Sequence, residues 1–208
     1  MTQRVLIIGA GIIGASFAFH LAEAGADVRV LDANREVGGT ATPNSWAWIN
    51  ASWGNAPDYL RLRRDSMLKW RDLDRRVPGL NINWCGGLLW DLPEAELRAY
   101  AAERIGQGSP MRLIDQAEAA KIEPLLRHPP ELAVHVADEG VVEPVHAVER
   151  LLEAAKTLGA EVLHSTGVRW LIVEKGRVTG VMTQEGPLQA DVVVLAAGTS
   201  CTTLLKDV

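Results

Sequence analysis

Unbroken apolar runs and helical periodicity alternate at both ends of the chain. Val5-Leu6-Ile7-Ile8 predicts a strand covered on both faces within a parallel sheet. Gly9-Ala10-Gly11-Ile12-Ile13-Gly14 follows directly, and Phe17, Ala18, Leu21 and Ala22 then recur at helical spacing up to a stop at Gly25. Val28-Arg29-Val30-Leu31 predicts a second strand, with Asp32 at its carboxyl end. In the middle, an amphipathic helix is predicted over 57–73 and another helix over 93–105. Past Glu139-Gly140-Val141-Val142-Glu143-Pro144, the positions Val148, Leu151, Leu152 and Ala155 predict a helix ending near Gly159. Strands are then predicted over 162–164, 168–173 and 178–183, with a turn at Glu185-Gly186 and a buried strand over 192–195.

A length of 208 residues, 48% of them apolar and 23% charged, is that of a soluble globular chain of one or two domains with a real core. The net charge of −5, without charged blocks, gives no support to a nucleic-acid or anionic-membrane partner. Residues 5–19 carry no charge, but they are too few for a membrane span and are divided by glycines, so no membrane span or targeting segment is expected. Cys85 and Cys201 form no CxxC pair, so no metal site is expected and a reducing, cytoplasmic setting is the default.

The three glycines of the first turn each meet a physical need. Gly9 permits the tight strand-to-helix turn, Gly11 lacks the β-carbon that would hold a pyrophosphate off the backbone, and Gly14 lets helix and strand pack closely. Phosphates then meet the free N–H groups and positive end of the helix. Asp32, eighteen residues after Gly14, is placed to hold the adenosine ribose hydroxyls. Strand, glycine turn, helix, strand and acid together predict a dinucleotide site. This pattern alone leaves NAD and FAD open.

Two further strings favour FAD. One is Asp32-Ala33-Asn34-Arg35-Glu36-Val37-Gly38-Gly39, which resembles the acid-then-GG extension of glutathione-reductase-type flavoproteins. The other is Ala190-Asp191-Val192-Val193-Val194-Leu195-Ala196-Ala197-Gly198-Thr199, which is similar to that superfamily's later flavin-domain motif. With Asn83-Trp84-Cys85-Gly86-Gly87-Leu88-Leu89-Trp90 and the 139–144 segment, the whole chain resembles the amino-terminal part of the D-amino-acid oxidase family, which includes glycine oxidase and sarcosine oxidase.

That resemblance implies an α/β fold: a Rossmann-like FAD-binding domain of glutathione-reductase type with an inserted, incomplete α+β substrate domain. The expected parts are 1–76 for the first FAD-binding segment, 77–142 for the insertion and 143–208 for the return. It implies FAD held without a covalent bond. Ile12 and Ile13 would contact the pyrophosphate by backbone, and Asp32 with Ala33 would take the adenosine ribose. Gly39, Thr40, Ala41 and Thr42 would track the pyrophosphate and ribityl chain. Val168 would pair its main chain with the adenine edge, and Ala197 with Gly198 would close the site. Some relatives attach flavin through a histidine just after the GG region, and residues 42–53 contain none. The implied activity is oxidation of a C–N bond of a small amino acid or amine by hydride transfer to flavin. Family chains continue past the point where this one stops, so a truncated chain, or a second chain completing the fold, is expected. The alternatives are a non-catalytic FAD-binding subunit and an NAD-dependent dehydrogenase.

No side chain stands out as an acid–base catalyst. Trp46, Trp48 and Trp53 read as packing residues first and as an aromatic cage second, and in an extended segment Trp46 and Trp48 would point the same way. His135 and His146 are possible bases but read first as hydrogen-bonded residues, as does His20. Arg61, Arg63, Arg64, Lys69 and Arg71 give the 57–73 helix a basic face, read as solvated.

Overall fold

The structure, a computed structural model, describes residues 2–206. In chain order its elements are β1 (Arg4–Ile8), α1 (Ile12–Glu23), β2 (Asp27–Leu31), β3 (Trp48–Ile49), α2 (Pro57–Arg76), β4 (Gly87–Leu89), α3 (Glu94–Gly106), β5 (Met111–Asp115), α4 (Gln116–Ile122), β6 (Leu132–Val136) and β7 (Gly140–Val141). They continue with α5 (Pro144–Thr157), β8 (Glu161–Leu163), β9 (Val168–Glu174), β10 (Arg177–Thr183), β11 (Pro187–Gln189), β12 (Val192–Leu195) and α6 (Cys201–Leu204).

These elements form two compact units. One is built from Met1–Ala47, Asp74–Leu80 and Glu143–Val208, the other from Trp48–Leu73 and Asn81–Val142. The chain therefore leaves the first unit near residue 47 rather than at the expected 76. The reason lies in where 48–73 makes its hydrogen bonds. Trp48 and Ile49 pair with Val141 and Gly140, and Arg71 donates to the Asp138 carbonyl. Asp207 and Val208, the last residues of the expected return segment, lie outside the described residues.

The first unit is a four-stranded parallel sheet in the order β12-β1-β2-β8. β1 is its centre, and Val5, Leu6, Ile7 and Ile8 are each at most 5% exposed, which explains the unbroken apolar run. The two ends of the chain thus meet: Ile7 is in register with Val30 on one side and Val194 on the other. Outside the ladder, Arg4 binds the Asp191 carboxylate through its backbone N–H and its guanidinium.

Helices α1 and α5 pack against each other. α1 offers Gly14, Ala15, Ala18 and Ala22, whose small side chains permit close approach, and α5 buries Ala147, Val148, Leu151, Leu152 and Ala155. Pro144 starts α5 where a missing N–H costs nothing, and the Glu143 side chain caps it by accepting from His146 N–H. A separate antiparallel sheet, β11-β10-β9, supplies Leu171 and Val181 to a core shared with Leu6, Ile8, Leu31 and, just past β11, Ala190.

The second unit is centred on an antiparallel sheet, β4-β6-β5. Leu97 and Ala101 of α3 pack there with Leu89, Met111, Val134 and Val136, and half-buried Trp48 joins them. Asp115 caps α4 by accepting from Glu118 N–H. On the basic face of α2, Arg61 and Lys69 are exposed as expected, while the other three are half-buried and bonded to the protein. Arg63 binds the Asn50 carbonyl and Asn55, Arg64 the Gln107 carbonyl, and Arg71 the Asp138 carbonyl while lying 4.0 Å over the Trp84 ring.

Candidate functional site

All the site residues expected from sequence fall in the first unit, at the carboxyl ends of β1, β2 and β12 and at the start of β9. The turn between β1 and α1 is as crowded as its glycines require. Gly9 has φ +106°, and a β-carbon there would lie 2.5 Å from the Ala196 carbonyl oxygen. A β-carbon on Gly14 would lie 1.9 Å from the Gly9 carbonyl oxygen. Gly11 is different. Its β-carbon position meets only Thr42 Oγ1 at 3.5 Å and the Gly38 carbonyl at 3.6 Å, both ordinary contacts, so the protein itself does not exclude a side chain there.

α1 has no side-chain cap of its own, because its N-cap residue is Gly11. Thr42 supplies one from a distant loop: its buried hydroxyl accepts from Ile12 N–H at 3.2 Å. The expected contact of Ile12 with a pyrophosphate therefore meets an N–H that is already engaged. Ala15 N–H makes the first helical bond, to Gly11, which leaves Ile13 and Gly14 N–H without an acceptor among the described residues. The same loop is tied down at Gly38, whose N–H donates to the Ala10 carbonyl, and this carries Gly39, Thr40 and Ala41 beside the turn.

Asp32 is 5% exposed and holds two strands' ends together. Its Oδ2 accepts from Ala10 N–H at 2.6 Å and its Oδ1 from Asn34 N–H at 2.8 Å. A carboxylate has about four acceptor positions, so two remain for ribose hydroxyls. The segment before β9 runs alongside: Thr166 N–H donates to the Asp32 carbonyl, Ser165 N–H to the Asn34 carbonyl, and a β-carbon on Gly167 would lie 3.8 Å from Ala33 Cβ. Asp32 and Ala33 thus lie beside the 165–167 segment that leads into Val168, although more than a hundred residues separate them in sequence. Ala197 and Gly198 follow β12, held against β1 by Ala196 N–H donating to the Ile8 carbonyl.

A cavity of about 790 Å³ opens between the loop of residues 34–43 and α5. It shares Gly39 and Thr40 with the expected site and adds Arg35, Arg150 and Lys156, faced by Glu36, Glu149 and Glu153. Only the packing of α5 beneath that loop assembles this set, so local sequence gave no sign of it.

The histidines and tryptophans differ from one another in what they touch. His146 Nε2 lies 2.7 Å from the Gly79 carbonyl, and His20 stacks edge-on against Phe19. Burial and the nearby Arg112 push His135 below its ordinary value. Trp46 and Trp48 do not share an orientation. Ala47 between them has φ +47°, which breaks the extended geometry; Trp46 is 83% exposed and Trp48 half-buried. Trp53 packs on Tyr100. Cys85 and Cys201 are free thiols. Among the described residues no acid, histidine or cysteine cluster has metal-binding geometry, and no helix is long and apolar enough to cross a membrane.

A family model described as FAD dependent oxidoreductase matches residues 4–208. The chain belongs to that family. It is 32% identical over 221 residues to the uncharacterized oxidoreductase YurR of Bacillus subtilis, covering 98% of this chain and 57% of that protein. It is 31% identical over 221 residues to glycine oxidase of Pseudomonas putida, covering 99% of this chain and 58% of that protein. The solved glycine oxidase of Bacillus cereus superposes with a TM-score of 0.86 over 98% of this chain and 57% of that one; at 24% identity this is a likeness of fold. The chain spans a little over half the length of these relatives. Family membership implies FAD as the cofactor, and the turn fits it: two unengaged N–H groups at a helix start, no β-carbon at Gly11, and a buried carboxylate with acceptor positions to spare.

Proposed function

We propose that this chain holds FAD non-covalently and serves an oxidoreductase acting on the C–N bond of an amino acid or small amine. The observation that carries the cofactor reading is the turn itself. Ile13 and Gly14 N–H groups, beside Gly11, have no acceptor among the described residues, with Asp32 anchored to the same turn through Ala10. In this reading Gly9 and Gly14 shape the turn, and Gly11, Ile12 and Ile13 line the pyrophosphate. Asp32 and Ala33 take the adenosine ribose, and Val168 offers its main chain to the adenine. Gly39, Thr40, Ala41 and Thr42 follow the pyrophosphate and ribityl chain, and Ala197 with Gly198 closes the other side. The absence of histidine from 42–53 supports a cofactor without a covalent link there.

The bound flavin supplies a hydride acceptor for the carbon next to the amine nitrogen. The part played by this chain's residues is to bind and orient. The helix start holds negative charge by backbone donors, Asp32 fixes the sugar by acceptors, and Thr42 keeps the loop of residues 38–42 against α1. The activity belongs to the whole protein, with a small amino acid or amine as its partner. The free thiols of Cys85 and Cys201 support a cytoplasmic setting.

Anaerobic mixing of the FAD-loaded protein with a panel of amino acids and secondary amines tests the activity. Loss of the oxidised-flavin absorption with at least one of them is expected. A flavin that dithionite reduces but no member of the panel does would overturn the substrate class.

A further inference from the structure

The second unit contains a buried acid that the cofactor reading does not use. The chain first enters that unit at Trp48 and last leaves it after Val142, with Asp74–Leu80 returning to the first unit between. Just inside these crossings, β3 and β7 pair antiparallel, and Asn83 extends the ribbon through mutual hydrogen bonds with Val141. Glu139 stands at the root of this ribbon and is fully buried. Its Oε1 accepts from Ala51 N–H and Ser52 N–H, both at 2.9 Å, and its backbone carbonyl accepts from Gly86 N–H. One side chain therefore ties the incoming strand to the outgoing one.

The other carboxyl oxygen, Oε2, has no hydrogen-bond partner among the described residues. Oε2 occupies space that only a glycine leaves open, since a β-carbon on Gly87 would lie 2.6 Å from it and 3.3 Å from the Trp48 ring. No cation pairs with Glu139 among the described residues. The titratable groups that act on it are Asp138 from its own segment and Tyr100 from α3; the cations nearby, Arg104 of α3 and Arg71 of α2, are turned to aromatic rings. The guanidinium of Arg104 lies over the Tyr100 ring, and that of Arg71 over Trp84. A carboxylate sealed in this way is costly unless it carries a proton.

We propose that Glu139 is a proton-controlled latch on the ribbon through which the chain enters and leaves the second unit. Protonated, the carboxyl is neutral and its Oε1 still holds Ala51 and Ser52. Ionised, it places an unpaired negative oxygen in a closed pocket, and the ribbon opens to let water reach Oε2. Burial, with a lesser push from Asp138, moves this carboxyl above the ordinary glutamate value. The Ser52 hydroxyl and the two amides act in the opposite sense and do not prevail. A group raised in the folded state stabilises below its unfolded value, and that stability is lost as pH rises through the folded value. The latch is therefore shut on the acid side and loosens toward alkaline pH.

Hydrogen exchange at 48–53 and 139–142, corrected for intrinsic base catalysis, reads the latch in the full protein. Wild-type protection is expected to fall by up to about tenfold per pH unit as pH rises from the ordinary glutamate value through the raised one, and then to level off. In Glu139→Gln, which keeps an acceptor and cannot ionise, protection is expected to stay flat. Flat wild-type protection, or an equal loss in Glu139→Gln, would overturn the proposal. Should the variant fail to fold, infrared spectra of the wild type decide. A protonated-carboxyl band that persists after exposed glutamates have ionised supports the latch, and its absence overturns it.

Discussion

Gly14→Ala is expected to lower folding stability by about 3 kcal/mol or more, at the upper end of overpacking costs. The new methyl would sit 1.9 Å from the Gly9 carbonyl oxygen, which is backbone and cannot swing aside. Rotating that peptide gives no relief, because Gly9 is itself confined by the Ala196 carbonyl. α1 would have to lift from β1, and the cofactor turn would be lost with it. Gly11→Ala is the informative partner. Its methyl makes only ordinary contacts, at 3.5 Å and 3.6 Å, so stability should change by about 1 kcal/mol or less, as for other N-cap exchanges. FAD affinity should nevertheless fall more than about tenfold, because the methyl stands where a pyrophosphate must approach the backbone. Denaturant midpoints and FAD titrations of both variants separate the two effects. Equal destabilisation of the two would contradict the assignment of their roles.

Asp32→Ala is expected to cost about 2–5 kcal/mol, since it strips acceptors from two N–H groups, one of them on fully buried Ala10. Asp32→Asn should cost less, about 1–2 kcal/mol, because its carbonyl can keep the Ala10 bond while its NH2 turns toward the more open Asn34. Both should weaken FAD through loss of ribose acceptors. A fully stable Asp32→Ala protein, seen by thermal or urea unfolding, would show that the carboxylate does not knit the turn together.

The first unit was legible in sequence because its constraints are local. An apolar run, a glycine turn and a helical stripe each determine the structure of the residues that carry them. The second unit's part in 48–73 was not legible. What assigns Trp48, Ile49 and Arg71 to it is pairing with residues near 140, about ninety positions away for the strand and about seventy for the arginine. Glu139 was hidden for the same reason: Asp138-Glu139-Gly140 reads as a polar turn, yet folding places its carboxyl on the amides of Ala51 and Ser52. The parity of Trp46 and Trp48 failed on a single residue, Ala47, whose left-handed backbone no pattern rule anticipates. Thr42 was expected at the cofactor through the family resemblance. Its role as the cap of α1 follows from Gly11 having no side chain to do so.

The central claim is that the strand, turn and acid near the amino terminus and the β9 and β12 strands near the carboxyl terminus build one FAD site. Calorimetric titration of the flavin-free protein with FAD, and with NAD as the competitor, tests it most directly. The account predicts one FAD bound per chain, weakened more than about tenfold in Gly11→Ala, and no comparable binding of NAD. Tight NAD binding with no uptake of flavin would contradict it.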